Sequence, residues 1–109
     1  MEVKEWYGAK TVYQVESNTV QSPQKLYEER IIILKATSFD DAISEAEREA
    51  ELYAHDESGI KYLGYVNVFK IFDEEIRDKT EVFSLMRESD LNTEEYIDRH
   101  LDTGTERTK

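Results

Sequence analysis

Residues 5–16 (EWYGAKTVYQVE) place Tyr7, Ala9, Tyr13 and Val15 on one parity and Lys10, Gln14 and Glu16 on the other. A period of two predicts a half-buried β-strand. Residues 17–25 (SNTVQSPQK) hold the single proline among small polar residues, the composition of a loop and of a hairpin tip. Residues 26–37 (LYEERIIILKAT) predict a second strand. Its apolar run from Ile31 to Leu34 is continuous, which predicts a strand covered on both faces.

The pattern then changes period. Phe39, Ala42, Ile43, Ala46, Ala50 and Tyr53 recur at spacings of three and four, one apolar stripe on a helix. Ser38, three residues before Asp41, supplies a capping-box start, with Asp in place of Glu or Gln. The helix is predicted to end near residues 55–57, with Gly59 close to the C′ position. Leu52 falls on the polar side of this wheel.

Residues 60–72 (IKYLGYVNVFKIF) predict a long third strand, apolar on both parities, in which Gly64 marks a bulge or a close backbone approach. A charged turn (73–79) and a fourth strand (80–87, TEVFSLMR) follow, with Val82, Ser84 and Met86 opposite Phe83 and Leu85. Asn92 and Glu95 mark a short second helix, with Tyr96, Ile97 and Leu101 as its docking stripe. The expected fold is α+β: a four-stranded, mostly antiparallel sheet in the order β-β-α-β-β, one long helix on a face, and a short C-terminal helix. The expected strand order is 2-1-3-4. Residues 1–101 are read as one domain and 102–109 as a flexible tail.

Composition sharpens this. The chain has 109 residues, 25 acids and 14 bases, a net charge of -11, and no cysteine. The absence of cysteine excludes a disulfide framework and thiol chemistry. Mean hydropathy is -0.73, yet seven Tyr, four Phe and one Trp are too many aromatics for a disordered acidic chain. The charge is unevenly spread. Residues 1–37 are neutral, 38–57 carry net -7, 58–72 net +2 and 73–109 net -6. Such a layout either keeps a small domain soluble or steers a cationic partner toward one helix. It argues against duplex nucleic acid. MEVKEWYGAK has no apolar h-region, and the longest apolar run falls far short of the ~20 residues of a membrane span. The expected compartment is the cytoplasm.

Candidate chemistry is sparse. His55 and His100 fall at predicted helix ends, where they favour the helix dipole. There is no HExxH, no glycine-rich phosphate loop, no GxSxG and no EF-hand loop, so no metal, cofactor or catalytic residue is assigned. Glu28-Glu29-Arg30 puts three charges directly before an apolar run. A half-buried Arg30–Glu pair there would fix strand register, and the same charges alternatively bound a ligand pocket.

Trp6-Tyr7, Tyr27-Glu28-Glu29-Arg30-Ile31, Ala36, Phe39-Asp40-Asp41-Ala42, Tyr53 and Glu81-Val82-Phe83-Ser84 together span residues 5–87. This set resembles DUF4288, a family of bacterial domains of unknown function. The resemblance implies a small bacterial α+β domain and brings no activity, cofactor or catalytic residue. The polar residues inside the motifs, Glu28, Glu29, Arg30, Glu81 and Ser84, join Asp41, Glu45 and Leu52 of the acidic helix as candidate partner-binding positions.

The functional expectation is a non-catalytic, acidic binding protein of the immunity or inhibitor type, which meets a basic protein such as a toxin or nuclease. The alternatives are a small-molecule or peptide-binding module with Arg30 and Glu81 at its pocket, and a homodimer joined through an edge strand, 2 or 4.

Overall fold

A computed structural model describes residues 3–17, 24–101, 103, 104 and 106. Three strands form one antiparallel sheet: β1 (Glu5–Val15), β2 (Leu26–Ala36) and β3 (Ile60–Lys70), in the order β2-β1-β3. Helix α1 (Phe39–Asp56) lies across one face, and a short helix α2 (Thr93–His100) follows. The predicted order holds for the first three strands. The tip of the predicted β1–β2 hairpin and most of the predicted tail lie outside the described residues.

The register explains the core. Tyr7 pairs with Leu34 and Lys70, Ala9 with Ile32 and Val68, Thr11 with Arg30 and Val66, and Tyr13 with Glu28 and Tyr62. Directly opposed residues point to one face, so the odd positions of β1 meet α1. On the helix, Ala42, Ala46 and Ala50 are fully buried. Three alanines in a line let the helix approach closely and leave room for sheet tyrosines at either end. Tyr7 meets Phe39 edge-on at 5.0 Å, and Tyr13 meets Tyr53 edge-on at 5.0 Å.

Helix α1 starts where its sequence predicts. Ser38 Oγ accepts from the Asp41 N–H at 3.1 Å, and the Asp41 carboxylate accepts in return from the Thr37 N–H at 3.2 Å. The helix closes on Glu57, whose N–H donates to the Tyr53 carbonyl. Gly59, at φ +79°, lies two residues beyond that cap, and its carbonyl extends the β1–β3 ladder by accepting from Glu16. Gly64 takes φ +83° within the register shift between Thr11 and Tyr13, the irregularity its position predicts.

Three expectations are corrected. Residues 80–87 are not a strand. A turn at 77–80, with Lys79 at φ 65° and reciprocal bonds between Arg77 and Thr80, leads into that segment, which has no ladder partner among the described residues. Alternating residues without a ladder do not make a strand. The Ile31–Leu34 run is covered on one face only, because α1 covers one face: Ile31 and Ile33 are 53 % and 43 % exposed. The stripe on α2 is undocked, with no residue of that helix buried. Tyr96 instead accepts a bond from Arg87 at 3.0 Å.

Gly8 has a packing reason. A Cβ there would sit 2.1 Å from the Phe69 ring, which lies over the Gly8 backbone on the face away from α1. Gly8→Ala is expected to displace that ring and lower stability by about 1–3 kcal/mol. Urea unfolding of the variant checks this, and an unchanged midpoint would mean that the ring moves aside freely.

Candidate functional site

The polar residues between α1 and the sheet form one cluster around Arg30. β2 presents Glu28 and Arg30 on the helix side because both share parity with Ile32 and Leu34. The α1 stripe that carries Ala46 and Ala50 also brings Glu49 and Tyr53 down beside them. The Arg30 guanidinium donates to Glu49 at 3.0 Å and lies 4.0 Å from the centre of the Tyr53 ring. The Tyr53 hydroxyl donates to Glu28 at 2.8 Å. Thr11 and Tyr13 share a buried hydrogen bond of 2.6 Å. Partial burial of Arg30 lowers its pKa, but the bonds to Glu49 and Tyr13 outweigh it and hold the guanidinium above its ordinary value. Tyr62 completes the cluster, 5.7 Å from Tyr13. Its buried hydroxyl has no hydrogen-bond partner among the described residues. Burial, and then the negative charge of Glu47, push this phenol up.

This arrangement acts as a clamp. Charge-assisted bonds and a stacked cation tie the middle of α1 to β2, which the alanine stripe alone would not orient. The expected Arg30–Glu pair is present, but its glutamate is Glu49 on the helix. The pair therefore sets the position of the helix on the sheet and not the register between strands.

The other candidate residues are dispersed. Glu29 points to the opposite face of the sheet and pairs with Lys10. Asp41 is occupied in the helix cap. Glu45 binds Arg48 at 3.2 Å. Together with Glu49 it also lines an open cleft of about 390 Å³ along β2 from Ile32 to Lys35. Leu52 is 52 % exposed on the outer side of α1, as its place on the wheel predicts. Glu81 and Ser84 line a different cleft, with Phe69, Phe72 and Phe83. Arg30 lines neither cleft, so it does not meet Glu81 in either. His55 and His100 both occupy last turns of helices, and His100 stacks near Tyr96 at 4.8 Å. Burial, and then the charges of Arg87 and Arg99, lower the His100 pKa.

Sequence reasoning missed the sheet face opposite α1. Tyr27, Ile31, Ile33, Leu63 and Tyr65 are each 40–55 % exposed there. A signal for it existed: strands 2 and 3 are apolar on both parities, and one amphipathic helix covers one face. Among the described residues, no group of three or more His, Cys, Asp or Glu is placed to hold a metal ion, and no helix is long and apolar enough to cross a membrane.

A family model described as a domain of unknown function (DUF4288) matches residues 6–84. No curated protein and no solved structure matches.

Proposed function

We propose a function from one premise: the chain belongs to the DUF4288 family, a domain of unknown function, so its role is argued from its own surfaces. It is a non-catalytic binding protein of the immunity or inhibitor type that meets a basic protein, such as a toxin or nuclease, through the outer side of α1. The observation that supports this reading is the makeup of that side. Asp40, Glu47, Glu51 and Leu52 are all exposed on α1, and its one Lys or Arg, Arg48, is held by Glu45. The acids would raise the rate of encounter with a cation-rich surface, and Leu52 would supply an apolar anchor.

The test is retention of a basic protein from host lysate on the immobilised chain. At about 0.1 M salt the native chain is expected to retain one, and to release it as salt rises toward about 1 M. A Glu47→Lys/Glu51→Lys variant is expected to retain none. Equal retention by both chains, or retention by neither, would overturn the reading.

A second reading is supported by the cleft along Ile32–Lys35. β2 has a free outer edge there, and an extended peptide adds to such an edge by main-chain bonds. Titration of peptides against labelled β2 amides would separate the two, since the acidic-face reading moves signals on α1.

A further inference from the structure

We infer that the sheet face opposite α1 is a self-association surface, and that the 81–87 segment of a second copy of this chain lies on it. The face is built from the even positions of β1 and the odd positions of β2 and β3. Its apolar part is Tyr27, Ile31, Ile33, Leu63 and Tyr65, exposed by 55, 53, 43, 40 and 52 %. No described element of the same chain covers them.

The same chain carries a matching apolar segment. Val82, Phe83, Leu85 and Met86 are exposed by 45, 49, 60 and 94 %. The segment touches its own sheet where Phe83 meets Phe69 edge-on at 4.9 Å, and Phe69 rests on Gly8 at one end of the face. Past that contact, Leu85 is more than half exposed and Met86 almost fully.

The areas match each other and match a dimer. At about 200 Å² for a large side chain, the five face residues expose roughly 500 Å² and the four arm residues about as much. In a twofold dimer each copy would bury both, roughly 2,000 Å² of apolar surface in all, at the upper end of a standard interface. Apolar exposure on that scale equals the largest patch of a typical monomer, which is often functional. Exchange of arms about a twofold axis also closes on itself, so it gives dimers and not filaments.

Charge selects the same partner. The face carries Lys10, Lys35 and Lys61 against one acid, Glu29, net +2. Lys10 is paired with Glu29, and Lys35 stacks over Trp6 at 5.0 Å. The stretch from 73 to 90 that bears the arm has seven acids and three bases, net -4. Opposite signs meet when arm lies on face. The acidic outer sides of α1 stay on the far surfaces of the pair, where they do not repel each other closely.

Sedimentation of the full chain tests this. The native protein is expected to approach twice its 12.8 kDa mass with rising concentration. Leu85→Glu/Met86→Glu alters side chains that are exposed in the single chain, so it should fold unchanged by circular dichroism. It should weaken self-association by roughly thirtyfold or more, a hot-spot-sized loss. Because the chain has no cysteine, a mixture of Met86→Cys and Ile31→Cys chains should oxidise to a mixed disulfide, with little disulfide between two Met86→Cys chains. A native chain that stays at 12.8 kDa at its highest soluble concentration would overturn the proposal. So would a dimer that survives Leu85→Glu/Met86→Glu, which would place the contact on the β2 edge or elsewhere.

Discussion

Tyr13→Ala is expected to cost about 3–5 kcal/mol of stability, a large share of the ~5–15 kcal/mol that holds a domain of this size together. Tyr13 is the largest fully buried side chain. Its ring is the point where three elements meet: Tyr53 of α1 at 5.0 Å, Tyr62 of β3 at 5.7 Å, and its own strand. Tyr13→Phe keeps the ring and loses the hydroxyl that bonds Thr11 and Arg30. It should cost about 1 kcal/mol. Urea unfolding of both variants measures the difference. If the two cost the same, the hydroxyl network and not ring packing is what Tyr13 supplies.

Arg30→Ala is the second large effect, expected at about 2–3 kcal/mol. Breaking a buried ion pair by removing one partner typically costs about 3–5 kcal/mol. The lower figure applies because the Arg30 and Glu49 side chains are 25 % and 40 % exposed, so water partly screens both. The loss has three components: the charged bond to Glu49, the bond to Tyr13 and the stack on Tyr53. Arg30→Lys separates them. It keeps a cation near Glu49 but not the flat guanidinium that lies on the ring, so it should recover less than half of the loss. A double-mutant cycle of Arg30→Ala with Glu49→Ala should give a coupling of about 1 kcal/mol. A coupling near zero would mean that Arg30 acts through Tyr13 and Tyr53 and not through Glu49.

These two residues differ in how far the chain announces them. Tyr13 lies on the apolar parity of a strand, so its burial follows from local alternation. Arg30 interrupts an apolar strand, which marks it as unusual without naming its partner. The nearest acids, Glu28 and Glu29, are neighbours in sequence, yet Glu49 lies nineteen positions away and is the one bonded. Glu28 serves Tyr53 and Glu29 serves Lys10 on the opposite face. Alternation along β2 separates adjacent glutamates, and only the docking of α1 decides which acid reaches the arginine.

The fourth strand failed for a related reason. Residues 80–87 alternate as a strand should, but alternation shows only that a segment can be half buried. It becomes a strand when a free edge accepts its backbone bonds. Here the segment after the 77–80 turn has no ladder partner among the described residues, and its apolar residues stay exposed.

By itself the sequence determined the α+β class, the three strands, the capped start of both helices, the alanine stripe of α1 and its acidic outer side. Each of these is local, set by periodicity or by a cap within one turn. The tertiary structure decided which acid pairs with Arg30, that Arg30 and Glu81 do not meet in either cleft, and that one face of the sheet is left open. Those depend on which elements meet in space, and a single helix of eighteen residues has one apolar stripe with which to cover a sheet of two faces.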